Sequence, residues 1–266
     1  RNIESSYQVK VLCRKIQALN ISLTGHPLVL CVDQEGGYVG RFRDNEVLYP
    51  SPMALTASNS KRLTYAAGYY SNLFLRSRGI NMNLSPVLDV YINSFNPSLG
   101  PRAYSDSPEA VAKQASCWLK GAKRTGILLA GKHFPGKGRA GVDSHICLPR
   151  VSALKGKLQN TDLYPFKKII QSGIDAIMTS HAWYSSINKE ICPGTFSKEI
   201  NTGILRKKLK FNGLLISDDL DMGAISGYCD IEDAAERAIL SGVDCILICQ
   251  NQENVLRAHR HLCSAI

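Results

Sequence analysis

The sequence predicts an α/β domain built on a parallel sheet, and three observations predict it. Short runs that are apolar throughout, rather than alternating, recur along the chain, as strands do when both faces are buried. Each run is followed by an amphipathic helical pattern, the repeat unit of a parallel sheet. No Pro/Gly/Ser-rich linker, low-complexity segment or close internal repeat divides the 266 residues, and that length fits one (β/α)8 barrel of about 250 residues.

The elements follow in order. A helical pattern near 6–19 opens the chain, and Leu28–Asp33 is the first apolar run. A helix over 58–78 stops at Gly79, before the strand Ile80–Asn83. Ser107-Pro-Glu starts the next helix (107–124), with a hydroxyl to cap it and Pro in its first turn, and Gly126 stops it before the strand Ile127–Lys132. Thr161-Asp starts a helix over 162–172 that Gly173 ends, and the strand Ala176–Ser180 follows. Ser197-Lys-Glu opens 197–209, followed by the strand Gly213–Ser217; a helix over 231–241 stops at Gly242. The strand Val243–Ile248 and a helix over 252–263 complete the chain. Six strands are two short of a closed eight-stranded barrel, and the chain begins in a helix without the strand that should precede it. The expectation is therefore a (β/α)8 TIM-type barrel lacking its first strand.

Composition narrows the function. With 44% hydrophobic and 20% charged residues the chain is a folded globule, not a disordered or collagen-like one. It carries 32 Lys plus Arg against 22 Asp plus Glu, a net charge of +10. The cations are scattered, and the densest stretch, Arg206-Lys-Lys-Leu-Lys210, ends a helical pattern where positive charge suits the helix dipole. This charge reads as solvated surface, so no nucleic-acid partner is expected. No apolar run approaches the roughly 18 residues of a membrane span, so no membrane partner is expected either. The nine cysteines contain no CxxC pair, and Cys31, Cys245 and Cys249 lie in apolar runs, as small hydrophobes do. A disulfide framework or zinc site is not expected; a reducing, cytoplasmic location is, although a chain opening at Arg1 leaves room for a removed signal peptide.

The polar residues are unevenly placed. Asp33-Gln-Glu-Gly-Gly37, Lys132-His133, His181 and Ser217-Asp218-Asp219 each stand just past the C-terminal end of an apolar strand. In parallel barrels that end carries the active site, because the loops there converge on one mouth.

Three stretches together resemble glycoside hydrolase family 3, in its bacterial β-N-acetylhexosaminidase branch that acts in peptidoglycan recycling. They are Val32-Asp-Gln-Glu-Gly-Gly37 followed by Arg41, Gly131-Lys-His-Phe-Pro-Gly136 with Asp143-Ser-His145, and Ile216-Ser-Asp-Asp-Leu220. Ser85-Pro-Val-Leu-Asp-Val90, Pro101-Arg-Ala-Tyr104 and Asp175-Ala-Ile-Met178 followed by His181 add to the match. The resemblance runs from the first residues to about Cys249. It implies a retaining hydrolase on a (β/α)8 barrel, residues 1–266 forming a single catalytic domain clipped before Arg1, with the family's final barrel segment cut as well. It also implies no metal and no cofactor. The implied substrate is a terminal β-linked GlcNAc on a muropeptide-type fragment, and a monomer is expected.

On that resemblance Asp218 is the nucleophile and His145 the acid/base, with Asp143 able to reach the imidazole and set its tautomer. Asp219, on the other side of the strand, is expected to hold the loop. Substrate-binding roles carry over to Asp33, Arg41, Arg102, Lys132 and His133, although Asp33, Lys132 and His133 also suit a buried ion-pair network and the two arginines suit plain surface positions. His181 is open between touching the sugar and bonding within the barrel top. Two positions depart from the family pattern: Tyr38 stands where an Arg is usual after Glu-Gly-Gly, and Lys137 where the loop usually carries a second His. A cation at Lys137 would disfavour an imidazolium within about 6 Å of it. A phosphorylase using the same covalent intermediate, and a non-catalytic sugar-binding relic, remain as alternatives.

Overall fold

Strand pairing in the computed structural model, which describes residues 2–42 and 49–265, runs without a break in chain order. Strands β1 (Cys31–Val32), β2 (Met82–Asn83), β3 (Leu128–Phe134), β5 (Ala176–Thr179), β7 (Leu214–Asp219) and β8 (Cys245–Leu247) form one six-stranded sheet. Every neighbouring pair is parallel, with Cys31 opposite Met82, Met82 opposite Leu128, Ala130 opposite Ala176, Ile177 opposite Leu215 and Ile216 opposite Cys245. These are the six strands expected. The inner strands are buried on both faces, Leu129, Ala130, Ile177 and Leu215 completely so, which is why those runs are apolar throughout, whereas the outer strands β1 and β8 are only partly covered. Because strand order never reverses, all the C-terminal ends line one side of the sheet.

Among the described residues β8 and β1 are not paired, and the six strands form a parallel half-barrel, two strands short of the eight-stranded ring and one short of the ring expected without its first strand. A cavity of about 790 Å³ lies at this side of the sheet, lined by Cys13, Ile16, Leu30, Cys31, Leu247 and Cys249 among others. The expectations that fall on Arg1 lie outside the described residues.

Between the strands run α1 (Ser6–Thr24), α2 (Pro52–Ala57), α3 (Lys61–Ser77), α4 (Pro108–Lys123), α5 (Lys155–Lys157), α6 (Leu163–Gln171), α7 (Gly223–Ser226), α8 (Ile231–Ser241) and α9 (Gln252–Ala265). The starts of α1, α3 and α4 are capped by hydroxyls: Ser5 accepts from the Gln8 N–H, Ser60 from Leu63 and Ser107 from Ala110. Gly79, Gly126, Gly173 and Gly242 all adopt positive φ where a helix gives way to a strand. Two expected starts are corrected. Thr161-Asp162 lies within a π-helical turn (Leu158–Asp162) that continues α5 into α6, and the segment after Ser197 winds as a π-helix over Glu199–Lys208. A two-stranded parallel pair, β4 (Arg150–Val151) with β6 (Trp183–Tyr184), stands apart from the main sheet; strands of two residues have no periodicity to announce them.

The packing of α3 on α4 is close at two reciprocal glycines. A Cβ on Gly68 would run into the Trp118 carbonyl, and one on Gly121 into the Tyr65 carbonyl. None of the nine cysteines forms a disulfide. Among the described residues no helix is long and apolar enough to cross a membrane.

Candidate active site

Four strand ends meet at one mouth. From β1, Asp33 and Glu35 enter it on a segment clamped to β2 by Asn83, which accepts from the Gln34 N–H at 3.1 Å and donates to the Gln34 carbonyl at 3.1 Å. From β3 comes Lys132, whose Nζ lies 2.6 Å from Asp33 Oδ1 and 2.6 Å from Glu35 Oε1. Arg102 grips Glu35 with a two-pronged bond, Nε to Oε2 at 2.8 Å and Nη2 to Oε1 at 2.9 Å. Arg41 reaches Asp33 Oδ2 at 3.3 Å from the exposed rim.

This chain of alternating charges is an ion-pair network at the wall of the mouth, and it draws in Arg102, whose side chain is only 12% exposed and so not a plain surface cation. Burial alone would raise both carboxyls. The charges of Lys132 and Arg41 instead hold Asp33 well below the usual carboxylate range, and those of Lys132 and Arg102 hold Glu35 down to about 2. Glu35 was missed as a candidate. Its signal was its spacing from Asp33, two residues along an extended segment and so on the same side.

His133 stands beside Lys132 and is also buried. Its Nδ1 lies 2.6 Å from Asp89 Oδ2, and its Nε2 lies 4.0 Å from Asp218 Oδ2. Burial first, then the charge of Lys137, push its imidazole well below the ordinary value. A neutral ring therefore donates Nδ1–H to Asp89 and turns Nε2 toward the mouth. Asp89, a second residue missed, also accepts the Lys137 backbone N–H at 2.7 Å.

Asp218 ends β7 and is partly open to the cleft, with a side chain 17% exposed. Its Oδ1 accepts the Asp219 N–H at 2.9 Å. Burial alone would raise its carboxyl, yet His133, His181 and Lys137 together hold it below the usual range. Asp219 points away and ties down the following loops: it accepts from the Cys249 and Asp221 N–H groups and from Gln250 Nε2 at 3.0 to 3.1 Å.

His181 is buried and its two ring nitrogens are both engaged, Nδ1 with Thr195 Oγ1 at 2.7 Å and Nε2 with the Asp219 carbonyl at 2.9 Å. Of the two readings open for His181 this arrangement fits bonding within the barrel top: both ring nitrogens are engaged, and the ring braces the backbone behind Asp218.

The loop after β3 brings Asp143 and His145. The Asp143 Oδ1 accepts both the His145 N–H, at 3.0 Å, and its ring Nδ1–H, at 2.8 Å. Partial burial would raise Asp143, but the two bonds and the charge of His145 lower it. The imidazole itself is open, with a side chain 60% exposed. Gly223 and Ala224, just beyond β7, donate backbone N–H groups to the carbonyls of His145 and Ser144 at 3.1 and 3.0 Å. The segment that follows Asp218 thus holds the loop that carries His145. Tyr38 sits at the rim, its hydroxyl donating to the Leu99 carbonyl at 3.2 Å.

An ionised carboxylate at a strand end and an imidazole backed by a second carboxylate can together attack an electrophilic carbon and move a proton at its leaving group. Among the described residues no cluster of His, Cys, Asp or Glu is arranged to hold a metal ion.

Residues 1–265 match the glycosyl hydrolase family 3 N terminal domain. The chain is 34% identical to a beta-hexosaminidase of Alkalilimnicola ehrlichii, over 98% of this chain and 75% of that protein. It is 33% identical to a beta-hexosaminidase of Pseudomonas aeruginosa, over 95% and 74%. Among solved structures, a family 3 beta-N-acetylglucosaminidase from a Paenibacillus species superposes with a TM-score of 0.98 at 35% identity, over 100% of this chain and 51% of that one. The chain therefore spans about half the length of that protein.

Proposed function

The chain belongs to glycosyl hydrolase family 3, and we propose that it is a retaining β-N-acetylhexosaminidase that removes terminal β-linked GlcNAc from peptidoglycan fragments. What supports this reading is Asp218, its carboxyl held below the usual range at the end of β7, together with the Asp143–His145 pair on a loop whose backbone is bonded to the segment that follows Asp218.

The chemistry follows from those groups. Asp218 attacks the anomeric carbon while His145, as the imidazolium, passes the Nε2 proton to the glycosidic oxygen, and the aglycone leaves. Asp143 points Nε2 outward by holding Nδ1–H. Water then attacks the glycosyl-enzyme, His145 takes its proton, and Asp218 is released as a carboxylate. Asp33, Lys132 and Arg102 present charged hydrogen-bonding groups to the sugar hydroxyls with Arg41 at the rim, and His133 offers Nε2. The net charge of +10 suits an acidic muropeptide, and nine unpaired thiols suit a reducing compartment.

The test is nitrophenol release from the β-GlcNAc and β-glucose nitrophenyl glycosides, by the chain and by Asp218→Asn. Hydrolysis of the GlcNAc compound, lost in a variant that still folds, is expected. Unaltered activity in Asp218→Asn would overturn the assignment, and a rate that requires added phosphate would make the chain a phosphorylase.

A further inference from the structure

Asp162 is a buried carboxyl that the mechanism above leaves unused. Its side chain is 1% exposed, and it closes the π-helical turn that joins α5 to α6, an irregularity of the kind that recurs at functional sites. A carboxylate buried there is costly unless a cation faces it. Arg139 does so: its Nε lies 3.1 Å from Oδ1 and 3.0 Å from Oδ2. Burial raises the Asp162 carboxyl, and the charge of Arg139 opposes the rise. Backbone packs on the same residue, since a Cβ on Gly136 would stand 3.0 Å from the Asp162 Cβ.

Arg139 belongs to the loop that leaves β3 and carries Asp143 and His145. The first turn of that loop is held by its carbonyls. Tyr184 of β6 donates its hydroxyl to Gly136 at 3.0 Å and Asn96 Nδ2 donates to Lys137 at 2.9 Å. Asn93 donates its N–H to Gly138 at 3.1 Å and its Nδ2 to Ala140 at 3.0 Å. Among the described residues Arg139–Asp162 is the one ion pair that ties this loop to another element. Beyond it Gly141 and Val142 are exposed, and Ser144 and His145 are fastened to Ala224 and Gly223. The imidazole therefore rides on a loop with an anchor before it and an anchor beside it.

We propose that Arg139 is a positioning residue for the acid/base: paired with Asp162, it fixes the near end of the loop and so sets where the His145 imidazole stands against the leaving oxygen. The proposal rests on His145 being the acid/base. A displacement of about 1 Å at a catalytic group costs up to about 10²-fold in rate. The loss falls on proton delivery and not on sugar binding, because Asp33, Glu35, Lys132 and Arg102 are held by a network of their own.

The experiment compares the chain with Arg139→Met, Arg139→Lys, Asp162→Asn and the double variant Arg139→Met/Asp162→Asn, in single-turnover cleavage of a β-linked GlcNAc disaccharide and of the dinitrophenyl β-GlcNAc glycoside. Arg139→Met is expected to slow the disaccharide, which needs a proton, by about 10- to 10²-fold, and the dinitrophenyl compound far less, with KM unchanged. Arg139→Lys, which keeps a cation able to meet Asp162 through one nitrogen, restores most of the rate, and the double variant loses no more than the worse single. Equal losses on the two compounds, or single losses that multiply in the double, overturn the proposal. Hydrogen exchange reads the anchor without turnover: Arg139→Met and Asp162→Asn should each lose protection at the His145 N–H while β3 keeps its own. Protection unchanged at His145, or lost equally in β3, overturns the proposal. A parent chain that cleaves neither compound overturns the hydrolase reading and with it the role of Arg139 in turnover, whatever exchange shows of the anchor.

Discussion

Asp143 holds His145 twice through one oxygen, accepting its backbone N–H at 3.0 Å and its ring Nδ1–H at 2.8 Å. One carboxylate thereby sets both where the residue sits and which ring nitrogen faces the cleft.

Asp143→Asn should separate leaving groups. An amide keeps the shape but offers the ring less negative charge, so proton donation to the leaving oxygen weakens. General acid catalysis contributes roughly 10² to 10⁴ in rate, so kcat for a disaccharide should fall by about that range. A dinitrophenyl glycoside, which leaves without help, should lose far less in the cleavage step; equal losses for both in single-turnover measurements would remove Asp143 from this role.

Glu35→Gln should cost stability. Lys132 and Arg102 would stay buried with one carboxylate fewer, a change that typically costs about 3–5 kcal/mol. The pH dependence follows from a carboxyl that ordinarily titrates near 4.5 being held down to about 2. Its contribution is complete above the higher value and is lost as pH falls toward the lower. Thermal melts between these limits should therefore decline steeply in the parent chain and less steeply in the variant.

Gly68→Ala and Gly121→Ala should each lower the urea midpoint, because the added methyl meets backbone of the opposite helix. Overpacking of this kind costs roughly 1–3 kcal/mol. The double variant should cost less than the sum, since one separation of α3 from α4 relieves both contacts.

His181→Asn should lower the melting temperature and leave KM for the GlcNAc glycoside within about twofold, because breaking two buried hydrogen bonds costs roughly 1–3 kcal/mol each. A raised KM with unchanged melting would return His181 to the sugar.

The parts of the fold visible in the sequence are those with local causes. Leu129, Ile177 and Leu215 sit in unbroken apolar runs because both faces of the sheet are covered, and Ser107 and Gly242 mark helix ends by their own chemistry. Glu35 depends on Arg102, which lies 67 residues away, and nothing near either residue announces the pair. Asp89 lay inside a stretch noted for its resemblance, but its bonds to His133 and Lys137 exist only in three dimensions. His181 shows the opposite limit: its position past a strand suggested the mouth, whereas Thr195 and the Asp219 carbonyl occupy both its nitrogens. Closure of the barrel was beyond a strand count, since six apolar runs are equally consistent with a ring missing strands and with an open half.

The His145 loop is fastened to Gly223 and Ala224 by main-chain groups alone. Such a fastening does not depend on the side chain of Ile146, which is exposed, whereas Ser144 is buried and Gly223 is constrained, because a Cβ there would meet the His145 and Ile146 carbonyls. The outward residues of the loop, Val142 and Ile146, are exposed. On the mechanism proposed above, exchanging these two side chains would remake the surface beside the leaving group while the imidazole stays in its place. On that proposal, the half-barrel is built to diversify in what it cleaves without relearning how.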